Sequence, residues 1–191
     1  MAGNDNASYL VGKLLLAMPS MTDPRFEKAV IFMCAHDDQG AMGLMINHSI
    51  PDVTFKNLLE QVGITSDIRV NISRPVMSGG PVESSRGFLL HTSEFTQEDT
   101  IKINDALSVT GTIDALKEVA KGNGPEEMLF ILGYAGWGAG QLEQEIQANS
   151  WLITDPDPSI IFSGNDDNKW INAVGKMGVD PAMLSGTAGR A

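Results

Sequence analysis

Cysteine is nearly absent from this chain: Cys34 is the single one among 191 residues. A lone cysteine excludes an internal disulfide and fits a reducing compartment. Basic residues are scarce as well, 13 lysines and arginines against 24 aspartates and glutamates, for a net charge of −11. No run of lysine or arginine offsets that balance locally. Nucleic acids and anionic bilayers are held by such residues neutralising phosphates, so neither direct DNA binding nor membrane attachment is expected. The three histidines, His36, His48 and His91, are too far apart in sequence to suggest a metal site. There is no long hydrophobic run either. The stretch YLVGKLLLAMPSM is broken by Lys13, and the preceding MAGNDNAS carries no basic residue. It is too short to span a bilayer and has the wrong flanks for export. A cytoplasmic protein is expected, with residues 1–8 as a flexible polar tail, residues 9–184 as one domain and residues 185–191 as a second tail.

What is present is a globular composition, with 42% hydrophobic and 19% charged residues, enough for a sizeable core. LVGKLLLAM, FEKAVIFMCAH and AMGLMINHSI read as strands, the last two joined by the turn DDQG as a hairpin. RGFLLHTS, WLIT and SIIF read as short strands and MLFIL as a buried central one. TFKNLLEQVGI and TIDALKEVAKG have helical apolar spacing, with Thr54 and Thr112 as N-caps and Gly63 and Gly122 as stops. QLEQEIQANS and DDNKWINAVGKMG read as further helices. Strands in runs with interspersed helices predict one α/β (α+β) domain with a mixed sheet.

GYAGWGAG, residues 133–140, places four glycines around Tyr134 and Trp137, after a strand and before a helix. That context suggests a phosphate loop, but neither G-x-G-x-x-G nor the P-loop pattern fits. No lysine or arginine lies between Gly122 and Asn168, whereas Glu143 and Glu145 occupy the first turns of the following helix. The segment therefore predicts a tight strand-to-helix connection whose glycines serve steric needs. Trp137 is expected to be at least partly accessible near the turn SGGP.

Other constellations point to no catalytic set. Cys34 and His36 would share a strand face, yet at about 6.5 Å between Cα atoms they are far apart for a nucleophile–base pair. An inert, buried thiol is the expected state of Cys34. No G-x-S-x-G elbow occurs, and Ser78, Gly79, Gly80 and Pro81 read as a tight turn. Arg86 could take an anion, with Glu83 beside it as an ordinary ion-pair partner.

Three segments together, AMPSMTDPRFEKAVIFMCAHDDQGAMGLMIN, SGGPVESSRGFLLHT and GYAGWGAGQLEQEIQANSWL, resemble the YqgE/AlgH family of bacterial proteins. The resemblance runs from about Tyr9 to Met183. It implies a single-domain two-layer sandwich, a mixed, curved β-sheet with helices packed on it. It implies no activity, the family being uncharacterised, although one branch bears the label of a transcriptional regulator. After Asn47 the family has a basic residue and proline, where this chain has His48 and Ser49, so an anion site there is not expected. The leading expectation is a non-enzymatic binding or regulatory module, without cofactor or metal, acting on an unknown protein partner or small ligand. Its candidate surface comprises Asn47, Gly79, Gly80, Arg86, Tyr134, Gly136, Trp137, Gly138 and Gly140. The alternative is an enzyme of unrecognised type using His36, Asn47, His91 or Arg86 in a shared cleft.

Overall fold

Apolar side chains on both sides of the first strands dictate how the sheet is covered. In β1 (Leu14–Ala17) and β2 (Val30–Asp37), Leu14, Leu16, Val30 and Phe32 point to one face and Leu15, Ala17, Ile31 and Met33 to the other. All eight are buried, so both faces need a covering layer. The computed structural model describes residues 10–65, 74–111 and 113–184. The expected tails and the expected N-cap Thr112 lie outside the described residues.

The strands β3 (Gly40–Met45), β4 (Ser49–Thr54), β5 (Pro75–Ser78), β6 (Val82–Thr92), β7 (Ile101–Lys102), β8 (Leu107–Thr110), β9 (Met128–Gly138) and β10 (Trp151–Thr154) complete one curled sheet. Its order is β10-β1-β2-β3-β9-β6-β8-β7. β4 pairs with β5, which runs parallel to β9 (Met77 opposite Ile131), while the other pairs are antiparallel; the sheet is mixed, as expected. The DDQG turn closes the predicted β2–β3 hairpin, with Asp37 opposite Gly40. β9 is central, bordered by β3, β5 and β6.

The inner face of the curl carries a single cluster that includes Leu16, Phe32, Leu44, Leu90, Val109 and Ile131. It is partly roofed by α4 (Pro158–Ile161) and α5 (Lys169–Lys176) through Ile161, Trp170, Ala173 and Val174. The outer face carries two clusters. One forms under α3 (Gln141–Gln147), whose Leu142 meets Leu15, Met33, Trp137 and Trp151. The other forms under α1 (Phe55–Gln61) and α2 (Ile113–Ala120), around Phe55, Leu59, Leu116, Val119 and Phe130.

Local signals account for most element ends. The Thr54 hydroxyl and the Asn57 amide cap α1 reciprocally. α5 is held to the sheet by two buried donors: Trp170 Nε1 donates to the Ala17 carbonyl at 2.9 Å and Lys169 Nζ to the Ile46 carbonyl at 2.8 Å. Three expectations are corrected. SIIF is not a strand: Asp157 caps Ser159 and Pro158 occupies the first turn, which starts α4 instead. β7 and β8, in a stretch with no strand prediction, form one edge of the sheet. Finally, most of GYAGWGAG is strand, because β9 continues through Gly138 and only Ala139 and Gly140 connect it to α3.

Candidate functional site: the glycine–aromatic strand and the inner-face cleft

β9 stays a strand through its glycines because its backbone is paired with β3 there, just beyond a last pairing with β6. Tyr134 lies opposite Val82 of β6, and Ala135, Trp137 and Gly138 lie opposite Gly43, Ala41 and Gly40 of β3. Gly133, at φ +75°, sits where the β6 pairing shifts register between Val82 and Gly87. Leu129 and Ile131 face inward and Phe130 and Leu132 outward, whereas beyond Gly133 it is Tyr134 that faces inward and Ala135 and Trp137 outward. The irregularity thus reverses the alternation and assigns each aromatic its face.

The SGGP turn and the glycine–aromatic segment do meet, backbone against backbone. A Cβ on Gly79 would stand 2.2 Å from the Gly133 carbonyl oxygen, and one on Gly80 2.2 Å from the Tyr134 carbonyl carbon. Side chains are excluded there by contact with the main chain of β9. Gly136 and Gly138 lie within the strand, and Gly140 precedes α3 in a left-handed conformation.

Trp137 is not the accessible contact residue expected. It is 7% exposed and packs edge-on against Trp151, ring centroids 6.0 Å apart. Its Nε1–H donates to Glu145 Oε2 at 2.9 Å, and Trp151 Nε1–H donates to the same oxygen at 2.8 Å. One carboxylate on α3 therefore holds both indoles, a role for Glu145 that the sequence did not suggest.

The other candidates fall into separate networks. Asn47 is buried, with Oδ1 accepting from Val30 N–H and Nδ2 donating to the Lys28 carbonyl, both at 2.8 Å. His36 and Cys34 do not share a face, because β2 bulges between Met33 and Ala35. His36 Nε2 is 2.6 Å from Glu143 on α3, while Cys34 packs against the inner cluster. Cys34 lies half-buried at the cleft wall, and desolvation of its sulfur pushes the thiol up to about 12, which disfavours the thiolate. His91 is fully buried, its Nδ1 2.8 Å from the Thr92 carbonyl and its Nε2 2.8 Å from Thr110 Oγ1. A carbonyl only accepts, so Nδ1 carries the proton and Nε2 accepts from Thr110. Burial lowers the His91 pKa and keeps the ring neutral. His36, Asn47, His91 and Arg86 share no hydrogen-bond partner among these contacts. Among the described residues no group of three or more His, Cys, Asp or Glu side chains is placed to hold a metal ion, and no helix is long and apolar enough to cross a membrane.

What the structure adds is a cleft on the inner face, beyond the helices that roof the rest. Its volume is about 300 Å³, and its walls include Cys34, Met42, Phe88, Ile103 and Val109, with Ile101, Arg86 and Asp99 also lining it. A shallower depression adjoins it across Ala35 and Met42 and is lined by Val82, Tyr134, Gly136 and Trp137. Arg86 donates to Glu83 Oε2 at 3.2 Å, the pair expected from sequence, and lies over the Phe88 ring at 5.1 Å. Tyr134 packs edge-on to Phe88, and the Glu83 carboxylate near its hydroxyl raises the phenol's pKa. Glu83 itself adopts φ +43°, a conformation that costs a non-glycine residue about 1–2 kcal/mol. Of the predicted surface, Arg86, Tyr134, Gly136 and Trp137 thus line one or other of the two depressions. The cleft walls come from β2, β3, β6, β8 and the segment around β7, and no local motif marks such an assembly.

This arrangement can be set beside known proteins. A family model described as AlgH-like matches residues 14–182. The chain belongs to the AlgH-like family. A UPF0301 protein of Bradyrhizobium sp. strain BTAi1 is 50% identical over 194 residues, covering 97% of this chain and 89% of the relative. A UPF0301 protein of Ruegeria pomeroyi is 47% identical, covering 95% and 99%. Among solved structures, the solution structure of the AlgH protein from Pseudomonas aeruginosa matches over the whole of both chains with a TM-score of 0.77 and 36% identity. A crystal structure of a Corynebacterium diphtheriae protein matches with a TM-score of 0.70 and 22% identity over 92% of this chain and 90% of its own. The second likeness speaks to the fold alone. The resemblance read from the sequence motifs and the matched family agree.

Proposed function

We propose that this protein is a non-enzymatic cytoplasmic binding module that takes a small, mainly apolar ligand in the inner-face cleft. The observation that carries the reading is the cleft itself: about 300 Å³, walled by side chains of the main core cluster, and charged only at its edge by Arg86 and Asp99. Ligand sites have this character, apolar walls with a few polar groups that fix orientation. The enzymatic alternative required His36, Asn47, His91 and Arg86 to converge, and their separate engagements count against it.

An NMR titration with indole, a small neutral apolar probe, tests the reading. Saturable shifts confined to Met42, Phe88, Ile103 and Val109 are expected. Ala35 is exposed yet borders both depressions, so Ala35→Trp should block the cleft at little cost to folding. No saturable binding, or binding indifferent to Ala35→Trp, would overturn the proposal.

A further inference from the structure

The cleft and the shallower depression beside it share Ala35 and Met42, which stand opposite each other in the β2–β3 hairpin. Their charged groups differ. At the cleft, Arg86 is engaged by Glu83 Oε2 at 3.2 Å and lies over the Phe88 ring, and Asp99 accepts from the Gly111 N–H at 3.2 Å. Both are already committed within the protein. The depression has Asp37 on its wall, exposed, two residues along β2 from Ala35 and on the same face, about 6.5 Å away. The N–H groups of Gln39 and Gly40 donate to Asp37 Oδ1 at 2.8 and 3.2 Å. The carboxylate keeps its charge under these backbone bonds, and Oδ2 takes no part in them. Across the hollow the Tyr134 ring lies beside Gly136, where a Cβ would stand 3.4 Å from Cε2. Aromatic rings and carboxylates both attract cations. No lysine or arginine is among the described residues lining the depression, and β2, β3 and β9 carry none. A ligand anion would meet one guanidinium, already paired, against the three carboxylates of Glu83, Asp99 and Asp37. A ligand with an apolar body and a cationic end suits both hollows.

Resting on the reading above, we infer that the ligand is an apolar primary amine, its body in the cleft and its ammonium in the adjoining depression, with Asp37 and the Tyr134 ring as partners. The body lies against Met42, Phe88, Ile103 and Val109, with methionine supplying an adaptable wall. Arg86 sets the direction, because its own positive charge at the cleft turns the ammonium toward the depression.

Calorimetric titrations with indole, tryptamine and indole-3-acetate, which share one ring system and differ in charge, decide the matter. Tryptamine is expected to bind about five- to tenfold more tightly than indole, the size of one exposed ion pair and one cation–π contact together. Indole-3-acetate should bind more weakly than indole, and the advantage of tryptamine should shrink as salt is raised. Asp37→Asn keeps an acceptor for the hairpin turn and removes the charge, so it should reduce the tryptamine-to-indole affinity ratio about two- to fivefold. Glu60→Gln removes the same charge from α1, which covers the outer face, and should leave that ratio as it was. If indole binds in the cleft but tryptamine gains nothing over it, or if the two substitutions change the ratio alike, this inference falls and the binding module stands. If indole also fails to bind, both fall.

Discussion

Replacing Trp137 by alanine tests whether the glycine–aromatic strand is core or contact surface. Burying a tryptophan removes about 150–250 Å² from water, which at about 25 cal/mol per Å² corresponds to about 4–6 kcal/mol. Alanine retains a little of that, so the measured loss should be about 3–5 kcal/mol, as for other large aromatic deletions. The structure gives two reasons to expect the upper part of the range. Trp137 packs edge-on to Trp151, and its N–H reaches the carboxylate that also receives Trp151. For a domain of this size the midpoint of thermal unfolding should fall by roughly 6–20 °C. Trp137→Phe keeps most of the ring and loses the N–H, so it should cost about 1–2 kcal/mol. Urea unfolding followed by circular dichroism is the suitable assay, because the substitutions change tryptophan fluorescence directly. A loss below about 1 kcal/mol for Trp137→Ala would refute the core assignment and return Trp137 to the candidate contact surface.

Further outcomes follow from the same contacts. Gly79→Ala would drive a Cβ into the β9 backbone and should cost at least about 2–3 kcal/mol, whereas Gly138→Ala, with only Gln141 Oε1 at 3.9 Å nearby, should change stability by less than about 1 kcal/mol; equal effects in denaturant titrations would contradict this account. Asn47→Ala leaves the buried Val30 N–H without its acceptor and should cost about 1–3 kcal/mol by the same measurement. The lowered pKa of His91 means the unfolded chain binds its proton more readily than the folded one. Its contribution is therefore complete above the ordinary imidazole value of 6.5 and declines as pH drops below it; that part of the pH–stability curve should flatten in His91→Gln. With a net charge of −11, the protein alone should not bind duplex DNA in an anisotropy titration at physiological salt, and specific submicromolar binding would contradict the charge argument.

The sequence by itself determined a good deal. Composition set the class, apolar periodicity located α1 and α2, a continuous apolar run located β2, the Thr54 cap began α1, and the DDQG turn fixed a hairpin. Three quoted motifs sufficed to indicate the family that the AlgH-like match establishes. These features are local, written within a few residues by spacing, capping and turn chemistry. Tertiary structure decided what depends on pairing across the chain. GYAGWGAG looks like a loop because glycine is a poor strand former, yet β6 pairs with it at Tyr134 and β3 from Ala135 to Gly138, which holds it extended. The irregularity at Gly133 and the bulge near Cys34 each reverse an alternation, so that Trp137 becomes core and His36 parts from Cys34. No local pattern announces such a reversal, because it arises from the register of a partner strand. The cleft was the least legible feature: Cys34, Met42, Phe88 and Val109 are ordinary apolar strand residues, and only the curl of the sheet and the limited reach of α4 and α5 leave a hollow among them.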